Sequence, residues 1–99
     1  MYFMVLVRDR PNALANRLEY RPRHVDFWVG KGDPLKVGGA MLSEGPDAEP
    51  VGSSFLIEAD SAAEVRALLA EDPFMQAGVF SEDILIQPVR PAIGAWLPD

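Results

Sequence analysis

Residues Tyr2 to Val7 read Tyr-Phe-Met-Val-Leu-Val, six apolar side chains with no polar residue among them. Aromatic and β-branched residues fit the pleated, packed surface of a strand. Successive strand side chains point to opposite faces, so this strand offers apolar groups to both sides of its sheet. Arg8 follows, and Asp9-Arg10-Pro11-Asn12 breaks the run. Val51 to Ala59, centred on Ser54-Phe55-Leu56-Ile57, is a second strand of the same character. A chain with two such strands must build a sheet around them and cover both of its faces.

The segments between them supply the rest of the order. Ala13 to Tyr20 carries Leu14, Arg17 and Leu18 at helical spacing. Pro22 interrupts it. Proline suits the first helical position, because its missing N–H has no partner there anyway. The pattern fits either a bent helix or a loop followed by a helix; a break at Pro22 is expected, with a helix from there to about Gly30. Val25, Trp28 and Val29 would form its core-facing stripe. Leu35 to Leu42 is expected as a strand, with Gly38-Gly39 where another backbone or a ligand comes close. Ser61-Ala62-Ala63-Glu64 is a capping box, with the Ser61 hydroxyl accepting from the Glu64 N–H and the Glu64 carboxylate reaching back to the Ser61 N–H. Val65, Leu68 and Leu69 continue that helix. Asp72-Pro73 opens a further turn, which Gly78 ends. Val79 to Val89 is the last strand, with Ile84 and Ile86 on one face, Leu85 on the other, and Pro88 marking an edge.

The order is strand, helix, strand, strand, helix, strand. It predicts an α+β fold, a ferredoxin-like βαββαβ chain with a four-stranded antiparallel sheet and both helices on one face. Residues 1–99 are expected to form one domain, with a core over 1–90 and an irregular tail over 91–99. The first and third strands, the two most apolar, take the centre of such a sheet. Helices on one face leave the other face apolar and open, which monomers seldom show. A homodimer with two sheets packed face to face is the expected resolution.

Composition narrows the chemistry. The net charge is −6 and the pI about 4.6, opposite to the basic face that phosphate backbones require, so no nucleic-acid partner is expected. The chain has no cysteine, which excludes disulfides, thiolate nucleophiles and cysteine-ligated metals. Its single histidine and the irregular spacing of its acidic residues lead us to expect no metal and no cofactor. No apolar run approaches a membrane span and none resembles a secretory leader, so a cytoplasmic protein with no membrane partner is expected.

Few residues remain that can carry chemistry. His24, placed by the break at Pro22 in the first turn of a helix, would feel the partial positive charge of the helix N-terminus, which favours the neutral imidazole that can act as a base. The alternative is a histidine that packs or caps. Asp72 is an N-cap before Pro73, or else the carboxylate that orients His24. Ser53 is a strand-start serine or a hydroxyl for a ligand. Arg17 and Arg21 are a solvated face or a bidentate site for an anionic group. Phe74 and Met75 would line a pocket between the first helix and the sheet.

Taken together, Arg21-Pro22-Arg23-His24, Val37-Gly38-Gly39, Gly52-Ser53-Ser54, Asp72-Pro73-Phe74 and Ala77-Gly78-Val79 resemble the YciI-like (YCII-related) proteins, in the same order and at similar spacing over about residues 1–90. Ala40-Met41-Leu42 departs from the many members that have a proline soon after the glycine, which bears on the pocket floor. The resemblance implies a dimeric α+β barrel, a His24–Asp72 pair as active site, and Ser53 at the family's Gly-Ser position. One branch is implied to dehydrochlorinate chlorinated hydroxyquinols. The expected function is therefore cofactor-free general acid/base chemistry of lyase or isomerase type on a small cyclic or aromatic metabolite. A ligand-binding or regulatory module of the same fold is the alternative, and a ligand-free dimeric scaffold a third. Contact between His24 and Asp72 inside a pocket discriminates them.

Overall fold

The computed structural model describes residues 1–97, so the last two residues of the expected tail lie outside the described residues. The elements are β1 (Tyr2–Asp9), α1 (Leu14–Lys31), β2 (Leu35–Leu42), β3 (Pro50–Glu58), α2 (Ala62–Glu71), α3 (Pro73–Gln76) and β4 (Phe80–Val89). One antiparallel sheet has the order β2-β3-β1-β4. The two apolar runs, β1 and β3, occupy its centre as expected, and Pro88 lies on the edge strand β4, where no further strand needs its N–H.

The register shows how the sheet divides its side chains. Val5 lies between Phe55 and Ile86, and Leu6 between Ser54 and Leu85. Phe3, Val5 and Val7 face the helices and are buried with Phe55 and Ile57, and Val65, Leu69, Phe74 and Phe80 close the core above them. Met4 and Leu6 face the other way. Met4, Leu56 and Val37 form a row across three strands, with Leu6 and Leu85 beside it. Met4, Val37 and Leu85 remain exposed on that face.

Helix α1 departs from the expected break: it runs unbroken from Leu14 to Lys31 with Pro22 inside it. Proline removes one helical hydrogen bond and crowds the carbonyl four residues back, here that of Leu18. Leu18 is 60% exposed and Pro22 is exposed. The carbonyl left without a donor is thus on the water-facing side, while the opposite side stays anchored by the buried Arg17 and Trp28. Two consequences follow. His24 is the eleventh residue of the helix rather than part of its first turn, so the charge of the helix terminus, which fades within a turn, does not act on it. And the stripe expected in the core splits: Trp28 is buried, whereas Val25 is partly exposed and Val29 is 72% exposed.

Helix α2 starts at the expected cap. Ser61 Oγ accepts from the Glu64 N–H at 3.2 Å, but the Glu64 carboxylate accepts from the Asp60 N–H at 2.9 Å rather than from that of Ser61. The extended backbone at Ser61 brings the preceding amide within reach. Ser61→Ala should lower stability by about 0.5–2 kcal/mol, the usual cost of losing a serine N-cap. Chemical denaturation checks this, and an unchanged midpoint would show that the cap is energetically idle.

Candidate active site

The unbroken α1 places Arg17, Arg21, His24 and Trp28 at spacings of four, three and four, which is one face of the helix. Opposite them lies Asp72, the junction between α2 and α3. Extended backbone there ends one helix and starts the next, and the Asp72 carboxylate caps α3 by accepting from the Phe74 N–H at 2.8 Å. Asp72 is thus a helix cap, and the same carboxylate lies against His24. His24 Nδ1 lies 2.8 and 2.9 Å from the two Asp72 oxygens, and Trp28 Nε1 donates to Oδ2 at 2.8 Å. Asp72 is 0% exposed. A carboxylate with no water needs donors for its lone pairs, and these three N–H groups supply them.

A carboxylate only accepts, so the proton between the pair belongs on Nδ1. In the neutral ring this leaves Nε2 with a free lone pair. The ring is held in plane by stacking on Phe74, with centroids 3.9 Å apart and planes within 12°, and Phe80 meets it edge-on at 6.3 Å. Its orientation is thus set by one buried anion and two aromatic neighbours.

The open side of the ring meets a cavity of about 240 Å³ between α1 and strands β2 and β3. Trp28 and Phe55 form its apolar walls, Gly38 and Gly39 its floor, and Arg17, Arg21, His24 and Ser53 its polar points. The glycine pair matters sterically: a Cβ at Gly38 would press on the Phe55 ring at 3.3 Å. Ala40 continues the floor where related chains were expected to carry a nearby proline.

Each residue singled out in the sequence can now be placed. His24 and Asp72 meet. Arg21 is exposed at the cavity mouth and has no carboxylate partner among the described residues. Arg17 is neither solvated nor free: it is 4% exposed and grips Asp9 through Nε at 2.7 Å and Nη2 at 3.0 Å, while Nη2 also donates to Ser53 Oγ at 2.8 Å. Its guanidinium also lies 4.6 Å over the Phe74 ring. Phe74 and Met75 do not line the cavity. Phe74 is fully buried behind His24, because the cap at Asp72 turns its side chain into the core.

Two participants escaped the sequence reading. The spacing of Trp28 points to the core alone, although it stands one turn from His24 on the same face. Asp9 was assigned to the turn after β1, although it continues the inward parity of Phe3, Val5 and Val7. A carboxylate at an inward strand position requires a cation, and that alternation was the available clue.

No group of three potential metal ligands occurs among the described residues, and no helix there is long and apolar enough to cross a membrane.

The same architecture occurs in the structure of 5-chloro-2-hydroxyhydroquinone dehydrochlorinase (TftG) from Burkholderia phenoliruptrix, solved with 2,5-dihydroxybenzoquinone. The two match with a TM-score of 0.83 and 27% identity, over 93% of this chain and 96% of that one. An uncharacterized protein of Haemophilus influenzae is 26% identical over 100 residues, covering 91% of this chain and 97% of its own length. The fold is the ferredoxin-like α+β arrangement of the dimeric α+β barrel proteins, as the element order and the resemblance led us to expect. The profile of the YCII-related domain matches residues 1–89, and the chain belongs to the YCII-related family.

Proposed function

We propose that this protein is a cofactor-free enzyme that performs general acid/base chemistry on a small hydroxylated ring, with His24 as the proton-transfer group and Asp72 as the group that orients it. The observation that carries the reading is the buried carboxylate on Nδ1, which leaves Nε2 as the free ring nitrogen of a histidine that lines the cavity. A histidine so held takes a proton at Nε2, and Asp72 stabilises the imidazolium as it forms. Its later release of that proton serves the acid half of the reaction. Arg21 at the cavity mouth supplies a positive charge for an anionic oxygen.

The similarity to a dehydrochlorinase suggests the substrate class, a hydroquinone or its halogenated form. Loss of HCl from such a ring balances with proton transfers alone. Two hydroxyl protons are removed, one is delivered to the ring carbon that sheds chloride, and chloride leaves with the electrons of its bond. The product is a quinone, and no external oxidant is consumed. His24 is the group in the cavity with a free ring nitrogen that can both take and return a proton.

The test begins with the single histidine. Adding 5-chloro-2-hydroxyhydroquinone or 2,5-dihydroxybenzoquinone should shift the His24 ring resonances, and chloride should be released from the former. His24→Ala is expected to lower the rate by about 10²–10⁴-fold, the range of general acid/base assistance. Ring resonances indifferent to both compounds would sink the reading.

A homodimer, built through the Met4, Leu56 and Val37 face, belongs to the same proposal. Apolar area is worth ~25 cal/mol per Å² when covered, and association costs take back part of it. Light scattering at micromolar concentration should give twice the 10.9 kDa chain mass; a stable monomer would refute this part alone. We place the protein in the cytoplasm.

A further inference from the structure

Ser53 sits where β3 passes beneath α1, and it is 2% exposed. Its Oγ accepts from Arg17 Nη2 at 2.8 Å, its one side-chain hydrogen bond among the described residues. A guanidinium can only donate, so the hydroxyl proton is directed away from Arg17. The side left open is the cavity that Ser53 shares with His24 and Arg21. Arg17 cannot turn to change this. Asp9 holds it by two hydrogen bonds, and the two side chains are only 5% and 6% exposed.

We propose that Ser53 is the donor for an oxyanion in this cavity and that Asp9–Arg17 is the positioning pair that sets its direction, so that the site takes small rings that ionise at oxygen: phenols and enols. The inference rests on the reading of His24 as the base. As the proton of the ligand hydroxyl passes to Nε2, negative charge spreads over the ligand oxygens. A buried, pre-aimed O–H stabilises that charge without having to reorient. Arg21 adds an unpaired cation at the mouth. Two separate parts of the site thus favour the ionised ligand: one removes the proton and the other accommodates the charge left behind. Asp9 does not line the cavity, and Arg17, which does, has its guanidinium committed to Asp9 and Ser53. The pair acts by denying Ser53 the alternative of accepting from the ligand.

The probe is 4-nitrophenol, a single ring whose neutral and ionised forms absorb at different wavelengths. The native chain should bind it with a larger ionised fraction than the free dye shows at the same pH. Ser53→Ala should bind it about tenfold more weakly, the factor expected for one hydrogen bond to a charged group, and return the bound dye toward its neutral form. Arg17→Lys keeps a cation beside Asp9 but loses the planar fork. It should move the dye in the same direction, and should have no further effect on the dye when Ser53 is already alanine. A merely structural Arg17 would lower stability in both backgrounds and leave the dye's ionisation alone. Should Arg17→Lys fail to fold, the Ser53→Ala comparison still decides the matter.

An ionised fraction equal in the native chain and Ser53→Ala would overturn this inference and leave His24 as base. A dye that binds the native chain without any rise in ionisation, or does not bind at all, would also overturn it, while the base reading of His24 stands or falls with the hydroquinone titration.

Discussion

Arg17→Met is expected to destabilise the protein by about 3–5 kcal/mol, the cost of removing one partner of a buried ion pair. The methionine keeps most of the apolar stem, so the effect isolates the charge. Asp9 is then a buried carboxylate deprived of two N–H donors. Ser53 Oγ loses its donor at the same time. Against a total of about 5–15 kcal/mol for an ordinary domain, such a loss leaves a marginal fold. The physical claim is that the damage comes from the orphaned carboxylate, not from the lost attraction. Asp9→Leu added to Arg17→Met should therefore recover much of the stability, since replacing both buried charges by apolar groups is often close to neutral. Denaturant midpoints of the two single variants and the double variant form the required cycle. A double variant as unstable as the sum of the singles would show that the packing around Asp9, and not its charge, was at stake.

Asp72→Ala is the second large effect, expected at about 1.5–5 kcal/mol, from an N-cap worth ~0.5–2 together with a buried donor left unpaired at ~1–3. The orphaned groups are the Phe74 N–H and Trp28 Nε1–H, both buried. Asp72→Asn is the more informative change. Asparagine caps helices about as well as aspartate, and from the sequence alone it would leave a pure cap intact. The geometry alters that expectation. Both Asp72 oxygens are occupied by donors, so the amide of an asparagine must point its N–H₂ at either the Phe74 or the Trp28 N–H. A loss of about 1–3 kcal/mol is expected from the unpaired donor alone. The second readout is the tautomer of His24, measured by ¹⁵N NMR on the single histidine. The native ring should carry its proton on Nδ1, and Asp72→Asn should produce a mixture. An unchanged tautomer would mean that stacking on Phe74, not the carboxylate, sets the ring.

The strands were legible in the chain because their signal is local. Six consecutive apolar residues in β1 and the run at Phe55 in β3 need no knowledge of the rest of the fold to be read as extended and buried. Their place at the centre followed from the order of elements. The same holds for the Ser61 cap, whose partner is three residues away. The pairing of His24 with Asp72 is implied only by the resemblance of several short motifs to a known family. No spacing argument joins residues 48 apart in the chain.

Pro22 marks the limit of local reading. Proline by itself argues for a helix boundary. Tertiary contacts overrode it: the buried face of α1, from Arg17 to Trp28, is held by Asp9, Ser53 and Asp72, while the hydrogen bond that proline forfeits lies on the solvent side. That one outcome moved His24 from a helix end to a helix middle. It also brought Arg17 down onto Ser53. The roles of Asp9 and Trp28 became visible only there, because a buried charge is identified by what surrounds it. Sequence by itself determined which segments are extended or helical and which faces must be buried, since those depend on side-chain alternation within a few residues. Tertiary structure alone decided which polar groups meet, because a carboxylate taken out of water must find its donors in space, wherever along the chain they lie.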